Sequence, residues 1–238
     1  MKKIVSKISF VLLFSLVVFM GSNQANADYP HMGKEVQLSP EEIEKIQAEL
    51  EEMEIPSYEE MEQLLTNDGL NSVQKIQPMS YVAKPWSEVP YNQLKMVIND
   101  QCAAGTQATY VLGDSFNTSS GSDIIMASGK GWKNYGYCHI YKGHMQNNIL
   151  GKLNYTYTPL GKSQFQLVHN PYAMIDIMKN VINKDLDYER VTPNRIIKEA
   201  YNVRENQKVR VVLDDPKGWT TRQFDQYDWI VVSSYPVF

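Results

Sequence analysis

Several residue types that define whole classes of protein are scarce in this sequence. It contains two cysteines and four histidines, and no second group at ligand spacing completes a tetrahedral metal site around Cys138, His139 and His144. It has no block or stripe of basic residues of the kind that binds nucleic acid. Beyond residues 1–27, no stretch approaches the roughly 20 apolar residues that a membrane-spanning helix requires. We therefore expect no metal, no cofactor, no nucleic-acid partner and no membrane span in the mature chain.

The N-terminal segment, residues 1–27, has the pattern of a secretory signal peptide. Lys2, Lys3 and Lys7 give it a basic start, a long apolar run follows, and Ala25-Asn26-Ala27 has the small residues of a cleavage site. No cysteine follows the apolar run at a position where a lipid could be attached. We expect cleavage before Asp28 and secretion of the remaining chain.

Negative charge is concentrated in one segment of the chain. Residues 41–62 hold ten Glu and one Lys, while the whole chain has a formal net charge of −4, so the remainder is weakly basic. Two capping boxes, Ser39-Pro40-Glu41-Glu42 and Ser57-Tyr58-Glu59-Glu60, predict helices from about residue 40 to 54 and from 57 to near Gly69. We interpret residues 28–77 as an acidic helical arm docked through a narrow apolar stripe. The alternative is a propeptide that covers the domain.

Residues 78–238 combine short strands and helices without a βαβ repeat, which predicts an α+β domain with an antiparallel sheet and packed helices. Helices are predicted at residues 91–104, from Asn170-Pro171 onward, and from Thr192-Pro193 to about Tyr201. Strands are predicted at residues 108–112, 123–128, 137–142, 153–158, 164–168, 208–213 and 229–233. The acidic helical pair precedes this domain.

Residues 121–144 hold most of the side chains that suggest chemistry. We predict a hairpin there, with strands DIIMAS and YCHIYK joined by a polar loop around Trp132. Because successive side chains of a strand alternate between its faces, Tyr137, His139 and Tyr141 are expected on one face. That face is the first candidate for a site.

The two cysteines of an exported chain most simply form a disulfide, which would join Cys102 to Cys138. The alternative keeps Cys102 as a free nucleophile with His139 as its general base, and it requires the two side chains to lie within hydrogen-bond reach. Both interpretations stay open at the level of sequence.

A possible serine nucleophile lies earlier in the chain. The run Ala108 to Ser115, ATYVLGDS, resembles the opening block of the GDSL hydrolases. Those enzymes require a later Asp-x-x-His, and no histidine after Ser115 has an aspartate three places before it. We therefore interpret Gly113-Asp114-Ser115 as a turn.

Four further motifs follow one another in a familiar order. They are SDII at residues 122–125, GYCHIY at 136–141, HNP at 169–171 before a predicted helix, and VTPN at 191–194. In order and approximate spacing, this set resembles the permuted papain-like branch of the NlpC/P60 family, the secreted relatives of cell-wall-associated hydrolases. The resemblance covers roughly residues 110 to 200. It implies a papain-like fold in which the histidine position falls on Tyr137 and the nucleophile position falls on or beside Asn170.

Those two positions imply that the usual catalytic pair has been lost. A phenol with a pKa of about 10 is a poor base near neutral pH, and an asparagine at a helix start is a cap and not a nucleophile. The resemblance thus implies a secreted or wall-associated protein that recognises a cell-wall peptide or small amide without cleaving it. Our candidate binding residues are Tyr137, Trp132, His144, His169 and Asn170.

Two alternatives to this interpretation remain. The chain could be an active cysteine hydrolase, a peptidase or amidase that uses Cys102 and His139, with His144 nearby. It could also be a secreted structural or inhibitory protein with no groove. The sequence leaves the oligomeric state undefined.

Overall fold

The structure is a computed structural model that describes residues 33–70, 90, 113–119, 121–127, 135–145, 165, 171–184, 187–217 and 224–237. The signal-peptide segment, the predicted helix at 91–104 and the predicted strands at 108–112 and 153–158 lie outside the described residues, as does all but Phe165 of the predicted strand at 164–168. In chain order the elements are β1 (Glu35–Val36), α1 (Pro40–Glu52), α2 (Tyr58–Leu70), β2 (Gly113–Asn117), β3 (Asp123–Ala127), α3 (Gly136–His144), α4 (Pro171–Lys184), β4 (Tyr188–Thr192), β5 (Arg195–Asn202), β6 (Gln207–Asp214) and β7 (Trp229–Val237).

The strands form one seven-stranded sheet in the order β1-β4-β5-β6-β7-β3-β2. The α+β class is as predicted, but the sheet is mixed and not antiparallel. β1 pairs with β4 and β3 pairs with β7 in parallel, whereas β4 to β7 and the β2–β3 pair are antiparallel. The two parallel pairs join strands that are far apart in sequence, and parallel pairing requires such long connections.

Both faces of the sheet are buried because helices cover each of them. On one face, Ile124, Met126 and Trp229 pack with residues of α3 and α4. On the other face, Ile125 and Ile230 pack with residues of the acidic arm. Strands that are buried on two faces read as continuous apolar runs instead of alternating patterns, and β7 is buried along all but its last residue.

The acidic arm forms one layer of the domain. The two predicted helices are confirmed as α1 and α2, and α1 starts at a complete capping box between Ser39 and Glu42. The arm packs on the sheet through Ile46, Leu50, Ile55 and Met61, which are at most 8 % exposed. Removing the arm would therefore expose a core face of the sheet to water.

The prediction of a strand at residues 137–142 is wrong, because this segment lies in the helix α3. Gly136 opens the helix with a φ of +68°, a conformation that glycine adopts without strain. Tyr137 and Tyr141 lie one helical turn apart with ring centroids separated by 6.0 Å, as expected for an i, i+4 pair. Residues 137–141 are all buried, and a short segment that is buried on every side has no sequence period that distinguishes a strand from a helix.

Two further predictions are wrong for a related reason. Residues 195–202, predicted as a helix after Thr192-Pro193, form strand β5, which pairs along its whole length with β6. Gly113-Asp114-Ser115, predicted as a turn, begins strand β2 and pairs with β3. In both cases pairing with the next strand in a hairpin outweighs weak local preferences.

The predictions for α4, β6 and β7 are confirmed, and both strands run further than predicted. The predicted apolar face of α4 is buried in the core, namely Met174, Ile177, Met178, Val181 and Ile182. Within the described part of the chain, no helix is both long and apolar enough to cross a membrane.

Candidate functional site

Helix α3 brings two of the predicted site residues together. His139 and His144 are 1 % and 0 % exposed, and their rings meet edge to face with centroids 5.6 Å apart. The ring of His144 also stacks on Tyr235 of strand β7 at 5.2 Å. The two histidines therefore belong to an aromatic stack enclosed between a helix and the sheet.

A row of polar side chains continues from this stack across three strands. Glu199 of β5 is the register partner of Arg210 of β6, and Arg210 is the register partner of Tyr235 of β7. Arg210 donates from Nε to Glu199 at 2.5 Å and from Nη1 to the Tyr235 hydroxyl at 3.1 Å. We call Glu199, Arg210 and Tyr235, together with Glu49 of α1, the polar ladder.

Glu49 connects the polar ladder to the acidic arm. Its Oε1 accepts from Arg210 Nη1 at 2.8 Å and from the Tyr235 hydroxyl at 3.3 Å. The contact joins helix α1 to two central strands, at positions far apart in sequence. The acidic arm is therefore held by an ion pair in addition to its apolar stripe.

Burial and charge fix the ionisation of the ladder. Burial raises the pKa of Tyr235, so its hydroxyl stays protonated as a donor. Burial opposes the charge of Arg210, but Tyr235 and the carboxylates of Glu199 and Glu49 more than offset this, and the pKa of Arg210 is raised. Burial also opposes the charge of Glu199, yet its bonds to Lys208 and Arg210 lower its pKa overall. Tyr235, Arg210 and Glu199 therefore keep the same protonation state near neutral pH, which suits a structural network better than proton transfer.

A second buried ion pair holds the connection between α1 and α2. Arg195 and Asp214, register partners on β5 and β6, form two hydrogen bonds of 2.6 and 2.8 Å. Arg195 also donates to the carbonyl of Pro56 at 2.6 Å. Burial opposes the charge of this guanidinium, and the charge of Asp214 outweighs that effect and raises the pKa of Arg195.

The remaining predicted site residues divide into two groups. Tyr137 is 1 % exposed in the core on the α3 side of the sheet, and Cys138 beside it is 0 % exposed and is not a free thiol. The others, Cys102, Trp132, His169 and Asn170, lie outside the described residues. The disulfide between Cys102 and Cys138 and the cleft between Tyr137 and Asn170 therefore stay predictions.

One open groove lies away from these buried groups, and sequence reasoning missed it. It has a volume of about 970 Å³ and runs between the second half of α4 and the β5–β6 turn. Three cations and three amides line it: Lys179, Lys184, Arg204, Asn180, Asn183 and Asn202. Its residues come from α4 and from the β5–β6 turn, which lies just beyond the helix predicted to end at about Tyr201, so no local motif marked the groove.

No metal site accompanies these features within the described ranges, where no group of three or more His, Cys, Asp or Glu side chains converges. Comparisons with protein-family models, with curated proteins and with solved structures found no match to this chain. The arrangement of its own residues is therefore the basis for the function proposed below.

Proposed function

We propose that this chain is an exported binding protein that recognises a cell-wall peptide or a related amide and does not cleave it. The order of the four sequence motifs supports a distant relationship to the permuted NlpC/P60 proteins, with a papain-like arrangement as part of the proposal. Export is supported by the signal-like pattern of residues 1–27. The α+β architecture, with helices on both faces of a mixed sheet, is compatible with this assignment.

The observation that carries the non-catalytic part of the proposal is the burial of the α3 side chains. A general base must come within about 3 Å of the proton that it removes. His139 is 1 % exposed and Tyr137 is 1 % exposed, so neither reaches a polymeric wall substrate while α3 stays packed. A hydrolase that used Cys102 with His139 would have to open α3 from the sheet.

Intact cell-wall sacculi test this proposal directly. The secreted protein, residues 28–238, is incubated with purified sacculi, and both its co-sedimentation and the release of soluble wall peptides are measured. We expect co-sedimentation without release of peptides, and a soluble acidic protein of similar size serves as the control for non-specific retention.

Two results would contradict the proposal in different ways. Release of wall peptides that stops when thiols are alkylated would indicate the cysteine hydrolase. No retention above the control would indicate a secreted structural or inhibitory protein.

A further inference from the structure

We propose that the groove beside α4 binds the free carboxylate of a short peptide, with Arg204 as the principal anion ligand. We call this site the α4 groove, the depression lined by Lys179, Lys184 and Arg204 together with Asn180, Asn183 and Asn202. It lies on the α4 side of the sheet, whereas the acidic arm packs on the opposite side. The acidic arm therefore does not neutralise it by contact.

The charge of the α4 groove is opposite in sign to that of the chain. Three cations line it against one acid, Asp176, whereas the whole chain has a formal net charge of −4. A cluster of positive charge on a surface that is otherwise negative attracts negatively charged ligands. An anionic ligand is therefore favoured over a cationic one.

The cations of the groove are not equally available. Lys184 donates from Nζ to the carbonyl of Tyr201 at 2.9 Å, and the Lys179 ammonium lies 5.2 Å from the centre of the Phe116 ring. Arg204 is exposed, and within the described residues no hydrogen bond or ion pair engages it. A guanidinium presents a planar pair of N–H donors that matches a carboxylate. Arg204 is therefore the group best placed to bind the anion.

The amides suit the peptide part of such a ligand. Asn183 accepts from the backbone N–H of Ser119 at 2.7 Å through Oδ1, which leaves its amide N–H groups as donors for a peptide carbonyl. Val203, which is 76 % exposed, supplies apolar surface in the same groove. Charged, amide and apolar contacts together fit a short peptide better than a small inorganic anion.

Helix α4 ends at the groove, and this opposes an anion. The C-terminal turn of a helix carries a partial charge of about −0.5, and its effect fades within that turn. Three full positive charges against the single Asp176 outweigh it. The groove volume of about 970 Å³ is at the upper end of the roughly 300–1,000 Å³ range of small-ligand sites, which leaves room for a few residues of peptide.

The identity of the peptide as part of the cell wall rests on the proposed function, whereas the preference for a free carboxylate does not. We therefore test the two separately. The probe is N-acetylated Lys-Ala-Ala with a free C-terminal carboxylate, and the same peptide closed as a C-terminal amide is its matched ligand control. Binding to the secreted protein is measured by titration calorimetry at low and at physiological salt.

The protein variants are matched in charge. Arg204→Glu changes the groove, and Lys45→Glu makes the same change of charge at an exposed position of α1 on the other side of the sheet. We expect the carboxylate peptide to bind at least about tenfold more tightly than the amide, and Arg204→Glu to weaken it by about tenfold or more. Lys45→Glu should change the affinity by less than about twofold. Circular dichroism of both variants checks that they are folded.

Equal binding of the acid and amide peptides would overturn the proposal, as would equal losses in the two variants or no binding of either peptide. Peptide binding that depends on Arg204, combined with no retention on sacculi, would support the groove and reject the proposed function. Retention on sacculi, combined with peptide binding that is unaffected by Arg204→Glu, would support the proposed function and reject the groove.

Discussion

Replacing Arg210 with methionine should destabilise the domain strongly, although methionine keeps the length of the side chain. Arg210 is 7 % exposed and bonds to Glu199, Glu49 and Tyr235. Removing one partner of a buried ion pair costs about 3–5 kcal/mol, because the other charge stays buried without compensation. Glu199 keeps its contact with Lys208, so we expect a loss near the lower limit, about 3 kcal/mol.

The assay is chemical and thermal unfolding of residues 28–238. In a domain of this size, 1 kcal/mol shifts Tm by about 2–4 °C, so Arg210→Met should lower Tm by about 6–12 °C. Glu199→Gln in the Arg210→Met background removes the carboxylate that has lost its buried partner and retains only the exposed Lys208. The double variant should therefore be more stable than Arg210→Met alone, with a coupling energy of about 1–3 kcal/mol.

Lys208→Met is the matched control, because Lys208 pairs with the same carboxylate but its side chain is 55 % exposed. An exposed pair of this kind contributes about 0–1 kcal/mol. The reasoning fails if Arg210→Met and Lys208→Met cost the same, or if the two substitutions at Glu199 and Arg210 are simply additive. Either result would mean that the polar ladder is solvated in the folded protein.

Two further predictions concern a carboxylate beside the ladder and the acidic arm. Burial, and then the charge of Glu199, raise the pKa of Glu189 above its ordinary value of 4.5. The charged carboxylate of Glu189 therefore destabilises the folded state above pH 4.5, where the unfolded chain is ionised, and has no such effect below it. Glu189→Gln should therefore raise Tm at pH 7 and leave it unchanged at about pH 3.5, and a higher Tm at both values would contradict this. Met61 of α2 is 0 % exposed, so Met61→Ala should lower the free energy of unfolding in urea by about 2–5 kcal/mol. The control Gln63→Ala, at an exposed position of the same helix, should lower it by less than about 0.5 kcal/mol. Equal effects of the two substitutions would mean that the arm is not part of the core.

Local sequence signals were sufficient to predict the helices whose first residues include a capping motif or a proline. The capping box at Ser39 and Glu42 defines the start of α1, and Pro171 begins α4 as predicted. At α1 the hydrogen bonds that stabilise the helix start come from neighbouring residues, and at α4 proline occupies the first helical position, where it is favoured. Such elements are predictable from a single sequence.

Strand β5 shows where local signals are insufficient. Thr192-Pro193 has the form of a helix start, and Lys198, Glu199 and Ala200 are compatible with a helix. What fixes the strand is its antiparallel partner, because Glu199 lies opposite Arg210 in the register of β5 and β6. The sequence signal for this pairing is that Glu199 and Arg210, of opposite charge, lie at equal distances from the turn at residues 202–207. That signal can be recognised only if a hairpin is assumed first.

The assignment of α3 affects the function as well as the fold. As a strand, residues 137–142 would place Tyr137, His139 and Tyr141 on one face, where a cleft could reach all three. As a helix, the segment is enclosed in the core, with Tyr137, Cys138 and His139 each at most 1 % exposed. Polar rings in such a place contribute by stacking, as His144 does on Tyr235. Exposing His139 for catalysis would require breaking its ring contact with His144 and uncovering part of the core, so catalysis by His139 would require α3 to leave its packed position.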